Sequence, residues 1–268
     1  MTLVVRRFAG AAREMVGLLQ QPDLTRPDQP AFLLCKPFGQ EAIRTSQMFQ
    51  ALARRLAREG SPVLRFDYHG TGDSPGEGAD QTLAGWVEDT LAATAQLLGD
   101  APNRPLVLFG IGLGATIAAR AALRLTTPPL RLVLWEPVLD GRAYLDALLN
   151  AHRRELAREL QTPWEYLVRT GRESEPQLPG NVIGFDLGEE LTREIGALDA
   201  SMLRPLVERR IAVHCALRDD QRAHAVTSPD WRIDAIQTPI DWMSGDARGT
   251  AIVPQEILLT LLAAGTAT

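Results

Sequence analysis

Short apolar runs alternate along the chain with longer segments whose apolar residues recur every three or four positions. Leu3 to Phe8 and Glu14 to Leu19 read as two short strands around a Gly-Ala turn. Ala31 to Cys35 is an unbroken apolar run that stops at Lys36-Pro37-Phe38-Gly39, the pattern of a strand buried on both faces. Ile43 to Glu59 then sets Phe49, Leu52, Ala53 and Leu56 at helical spacing, and Gly60 closes it. Pro62 to Asp67 predicts a strand, followed by a glycine-dense turn from His69 to Gly78. Leu83, Val87, Leu91, Ala95 and Leu98 mark a second helix. Pro105 to Phe109 is a strand, Leu113 to Arg124 a helix and Leu130 to Trp135 a strand. Buried strands alternating with amphipathic helices imply a mostly parallel sheet covered on both faces.

From Asp140 to about Ala200 the period becomes helical throughout, apart from a Gly/Pro/Glu-rich break between Thr170 and Gly184. Alternation resumes with strands at Ile211 to Leu217 and Pro239 to Met243 and a helix at Pro254 to Ala264. The expected organisation is therefore a core of residues 1–139 and 205–268, interrupted by a helical insertion at 140–204. Within that insertion His152 shares a face with Leu145, Leu148, Leu149 and Leu156 and reads as a packed core histidine.

Composition narrows the class. At 268 residues one αβ domain with an insertion buries a single large core. With 33 acidic against 28 basic residues the net charge is −5, and no basic stripe suggests nucleic acid. No run approaches the 18 or so apolar residues of a membrane span. Cys35 and Cys215 lie in apolar runs, as buried thiols of a reducing compartment do, so a cytoplasmic location is expected. No cofactor is expected. A homodimer is compatible with this composition but not indicated by it.

The most informative segment is Val107 to Thr116, a strand, a turn of Gly110, Gly112 and Gly114, and a helix. It fits G-x-G-x-x-A, with Glu136 at the end of the next strand as the ribose-binding acid, which would make a dinucleotide-binding oxidoreductase. It also fits a nucleophile elbow, whose flanking positions must be small because strand and helix nearly touch there. A dinucleotide fingerprint belongs on the first strand–helix unit of its half-sheet, and at least four strands precede this one.

The upstream turn Arg65-Phe66-Asp67-Tyr68-His69-Gly70-Thr71-Gly72-Asp73-Ser74-Pro75-Gly76 weighs for the elbow. Together with Leu33 to Glu41 and Leu132 to Leu145, it resembles the α/β-hydrolase superfamily, in particular the serine-aminopeptidase-like and exosortase-associated hydrolases. The resemblance covers residues 5 to 145 well and 205 to 265 by pattern only. It implies an α/β-hydrolase fold with an eight-stranded sheet and a helical cap inserted after strand six. It also implies a triad ordered nucleophile, acid, histidine, and an oxyanion hole from the backbone N–H of Leu113 and of Phe38 or Gly39.

This chain departs from that pattern at the chemistry. The nucleophile position is Gly112. The acid position falls on Asp219 or Asp220. The loop expected to carry the base, Ser244 to Thr250, holds no histidine, and neither His69, His152, His214 nor His224 has the expected position. Removing a triad member costs up to about 10⁶ in kcat, so acyl-enzyme hydrolysis is not expected. The leading expectation is a pocket for a small acyl or carbonyl ligand, with Glu136 as acid or base and an acyl-carrier or biosynthetic partner. The alternatives are an esterase or thioesterase with a displaced nucleophile, Cys35 paired with His69 or a serine, and a non-catalytic partner protein built on a retired hydrolase.

Overall fold

Ala31–Cys35 (β3) is buried along its whole length, and so are the six residues of Leu106–Ile111 (β5). Only strands in the middle of a sheet covered on both faces bury every residue, and β3 and β5 pair in parallel with Leu33 opposite Leu108. The computed structural model of the chain describes residues 1–10, 13–24, 26–173, 180–222, 226–237, 239–243 and 254–265. The other strands of this sheet are β1 (Thr2–Gly10), β2 (Arg13–Gln21), β4 (Val63–Asp67), β6 (Arg131–Trp135), β9 (Val213–Leu217) and β10 (Trp231–Ala235). Their spatial order is β1-β2-β4-β3-β5-β6-β9-β10. β2 runs antiparallel to both its neighbours and every pairing from β4 to β10 is parallel.

Side-chain alternation sorts the core into two layers. Leu33, Leu64, Leu108 and Leu134 face α2 (Leu83–Asp100) and α3 (Leu113–Ala122). Phe32, Leu34, Phe109 and Val133 face α1 (Gly39–Arg58) and α9 (Gln255–Ala264). Each side chain of this size contributes about 1.5–3 kcal/mol on burial, which fixes the register of every strand.

The last strand of the sheet is Trp231–Ala235, not the expected Pro239 to Met243. In Trp-Arg-Ile-Asp-Ala the apolar positions are broken by Arg232 and Asp234, as an edge strand exposed on one side permits. The apolar run at 239–243 has another cause: Trp242 is buried against the α1 and α9 layer. Arg44 on α1 donates to the Trp242 carbonyl at 2.7 Å and pins this segment as irregular backbone.

Between β6 and β9 lie α4 (Gly141–Glu159), α5 (Trp164–Arg169), the two-residue strands β7 (Asn181–Val182) and β8 (Phe185–Asp186), α6 (Glu189–Gly196) and α7 (Arg204–Glu208), and the short α8 (Asp219–Arg222) follows β9. Helices α4 and α6 meet at Gly141, where a Cβ would lie 1.7 Å from the Ile195 carbonyl oxygen, so glycine is required. Part of the Gly/Pro/Glu-rich break forms the β7–β8 pair; the rest, 174–179, lies outside the described residues.

Candidate functional site

At the carboxyl end of β5 the chain reverses into α3 through Gly112, which has φ 55° and ψ −126°. The glycines on either side are demanded by contact. A Cβ on Gly110 would lie 2.4 Å from the Gly114 carbonyl oxygen, and one on Gly114 would lie 2.3 Å from that of Lys36. Gly112 itself is not crowded. A Cβ there would find Pro37 at 3.6 Å and both carboxylate oxygens of Glu41 at 3.7 Å, ordinary contact distances. The turn thus has the close strand–helix approach of a nucleophile elbow but carries no nucleophile. Gly112 donates its N–H to the Trp135 carbonyl at 2.9 Å. Among the described residues no acceptor is found for the Leu113 N–H that opens α3. That free donor at the positive end of a helix favours a carbonyl oxygen or an anion.

A cavity of about 1,110 Å³ opens on the elbow. Gly112 and Glu41 lie on its sheet side. Its opposite wall is one face of α4, where Ala143, Ala147, Asn150 and Arg154 follow one another at helical spacing. The residues after β6 and β9, among them Glu136 and Arg218, complete it.

A buried carboxyl group, Glu41, and a half-buried one, Glu136, are among those that line this cavity. Glu41, in the first turn of α1, accepts a hydrogen bond from the Tyr144 hydroxyl of α4 at 2.9 Å on Oε2. Burial pushes its carboxyl up to about 7; the Tyr144 donor pulls the other way, while Glu136 and Asp241 push it further. Tyr144 is itself raised well above the usual phenol range, by burial first and by the Glu41 charge second. Glu136 holds a positive φ of 48° at the end of β6, with its N–H on the Ala216 carbonyl at 2.9 Å. Burial raises its carboxyl too, against the opposing pull of an ion pair with Arg218 at 2.5 Å. Arg218 also donates to the Ile240 carbonyl at 3.2 Å, so the guanidinium is fixed.

The other sequence candidates sit elsewhere. Cys35, the last residue of β3, is fully buried, and burial pushes its thiol up to about 12. The His69 ring meets the Glu14 carbonyl through Nδ1 at 3.1 Å, while the backbone N–H of His69 donates to Asp89 at 2.9 Å. No hydrogen bond joins His69 to Cys35 among the described residues, so the proposed pair is not assembled. Ser74 secures the same turn, donating to the Asp67 carbonyl at 2.6 Å and accepting from the Val16 N–H at 2.8 Å. Of the two aspartates after β9, Asp220 lines the cavity and Asp219 points to solvent toward Arg222. Phe38 and Gly39 lie at the start of α1, where Phe38 stacks with Trp86 and Phe185. His152 accepts from the Ile183 N–H and His214 pairs with Asp234, both away from the cavity. His224 and the Ser244 to Thr250 loop lie outside the described residues.

Sequence reasoning missed Glu41, Tyr144 and Arg218. Glu41 was visible two residues after the oxyanion-loop position Gly39, but an acid in a first helical turn is ordinary enough to pass as a cap. Nothing in the sequence tells that Tyr144, 103 positions away, meets it. Among the described residues no group of three or more His, Cys, Asp or Glu is arranged to hold a metal, and no helix is long and apolar enough to cross a membrane.

The strand order, the single antiparallel β2 within the parallel array and the elbow after β5 define an α/β-hydrolase. A family profile described as serine aminopeptidase, S33, matches residues 42–247, and the chain belongs to that family. An uncharacterized protein of Mycobacterium tuberculosis is 38% identical over 110 residues, 40% of this chain and 36% of its own length. The mitochondrial palmitoyl-protein thioesterase ABHD10 of Mus musculus is 28% identical over 125 residues, 46% of this chain and 40% of that protein. The matches thus span less than half the length of these relatives. In three dimensions the chain is similar to Est1E of Butyrivibrio proteoclasticus, solved with ferulic acid bound. The TM-score is 0.63 and the identity 14%, over 97% of this chain and 98% of that one.

Proposed function

We propose that this α/β-hydrolase-fold protein receives a small acyl or carbonyl compound at the elbow and does not process it through a serine acyl-enzyme. The observation that carries the reading is Gly112, a residue with no side chain in a turn whose flanking glycines and N–H donor are otherwise those of a nucleophile elbow. Residues 140–204 serve as a cap, because one face of α4 forms the far wall of the cavity. The thioesterase named among the relatives and the ferulic acid bound in the fold neighbour Est1E support an acyl or carbonyl ligand. A cytoplasmic biosynthetic setting with an acyl-carrier partner belongs to the same reading, supported by two buried free thiols.

The open cavity weighs against a retired pocket filled by side chains. The Cys35 thiol, pushed up to about 12, weighs against a displaced cysteine nucleophile. Gly110 and Gly114 are packed on protein backbone and the space at Gly112 is bordered by the Glu41 carboxyl, which weighs against a pyrophosphate there. Purified protein should resist labelling by a fluorophosphonate and leave p-nitrophenyl esters intact; strong labelling with ester turnover overturns the reading.

A further inference from the structure

We propose that Glu41, positioned by Tyr144, is a general base and acid at the vacant elbow, moving a proton on a carbonyl compound whose carbon–hydrogen bond beside the carbonyl is acidic. The assignment rests on the preceding reading for the class of ligand, and on three features of geometry for the role.

The first is place. Both oxygens of the Glu41 carboxyl lie 3.7 Å from where a Cβ at position 112 would stand, so a carboxyl group borders the space left by the missing nucleophile. The next residue along the chain, Leu113, opens α3, and its N–H, without an acceptor among the described residues, is a donor suited to an oxygen that gains negative charge. The second is orientation. Tyr144 holds Oε2, and among the described residues no donor reaches Oε1, which leaves that oxygen for the ligand. The third is the split between the two carboxyls. Arg218 engages Glu136 in an ion pair, whereas Glu41 has the neutral Tyr144 hydroxyl as its partner and is pushed up by burial to about 7. Of the carboxyls that line the cavity, Glu41 is the one that borders the vacant elbow position, and a single such group suffices when the proton is taken from and returned to the same ligand.

The step is balanced without a co-reactant. The Glu41 carboxylate takes the proton from the carbon beside the carbonyl. The carbon–hydrogen electron pair forms the new carbon–carbon double bond as the carbonyl π pair moves onto oxygen, which the Leu113 N–H holds. Glu41 then returns the proton to the same or another atom of the enolate. The groups that face Glu41 and set its titration are Tyr144 from α4, Glu136 after β6, Arg218 after β9 and Asp241 from the 239–243 segment.

5-Nitrobenzisoxazole tests the base without knowledge of the natural ligand, because loss of its ring proton to a carboxylate breaks the nitrogen–oxygen bond and releases a coloured cyanophenolate. Saturable release is expected, with a rate that rises with pH through a midpoint near 7 and kcat/KM lowered about 100-fold in Glu41→Gln. In Tyr144→Phe, the carboxylate loses its donor and the midpoint moves upward, a change that a merely structural tyrosine would not produce. This second variant decides the matter where Glu41→Gln folds poorly. Release no faster than acetate buffer alone, or equal in Glu41→Gln, overturns the assignment. Ester hydrolysis that depends on Glu41 but leaves no fluorophosphonate adduct also overturns it, in favour of water activation. Strong fluorophosphonate labelling instead defeats the underlying reading of the elbow, so the two failures are distinguishable.

Discussion

Glu41 makes the stability of the molecule depend on pH in a direction opposite to that of most surface carboxyls. Its folded-state value of about 7 lies above the ordinary 4.5, so between these limits the folded chain binds more protons than the unfolded one. Stability contributed at this residue is intact below about pH 4.5 and is lost progressively as pH rises to about 7. At 1.36 kcal/mol per unit the loss reaches up to about 3 kcal/mol. Glu41→Gln should therefore be near neutral at pH 4.5 and stabilising at pH 8, as read by urea unfolding at the two pH values. The elbow allows a second residue-scale prediction. Gly112→Ser alone should gain no esterase activity, because among the described residues no histidine lines the cavity and the new hydroxyl has the Glu41 carboxyl as its neighbour. A serine that donates there favours the charged form, so the Glu41 titration, followed by carboxyl NMR, should move down.

At the scale of elements, the seam between β3, β5 and α3 is the least tolerant part of the sheet. Gly114→Ala would bring a methyl carbon 2.3 Å from the Lys36 carbonyl oxygen, which is backbone and cannot rotate away. Overpacking of this kind costs about 1–3 kcal/mol or more, and a fall in thermal midpoint of several degrees is the expected readout. Gly112→Ala has room for its Cβ and should cost less, limited to the strain of a positive φ. The sequence showed this seam plainly, since Gly110, Gly112 and Gly114 stand between an apolar run and a helix. The final strand was harder to read. Trp231–Ala235 lies at the sheet edge, and one-sided exposure removes the apolar continuity that revealed β3 and β5, while the run at 239–243 owes its hydrophobicity to Trp242 packing rather than to pairing.

The whole molecule brings α1, α4 and the ends of β5, β6 and β9 around one cavity, and this convergence is what sequence periodicity does not encode. Periodicity assigned α4 its core-facing Leu145 and Leu148, but it left open what the opposite face, with Ala143, Ala147 and Asn150, looks upon. Small residues on that face keep the cavity open. Ala147→Trp should fill the cavity from the α4 side, abolishing saturable 5-nitrobenzisoxazole turnover while leaving the thermal midpoint within a few degrees. Turnover unchanged by this substitution would place the reactive site outside the cavity.

The two cysteines turn the protein into its own clock for unfolding. Cys35 and Cys215 sit on β3 and β9, on either side of β5 and β6, with both thiols buried and pushed up to about 12. A thiol reagent at pH 8 meets neither sulfur in the folded molecule. Reaching them requires prising the sheet from the helices that cover it, so alkylation of the two sites should proceed together and report the opening of the entire core. Any ligand that seats in the cavity would slow both reactions by the same factor, which makes mass-resolved alkylation a means of finding that ligand before its chemistry is known.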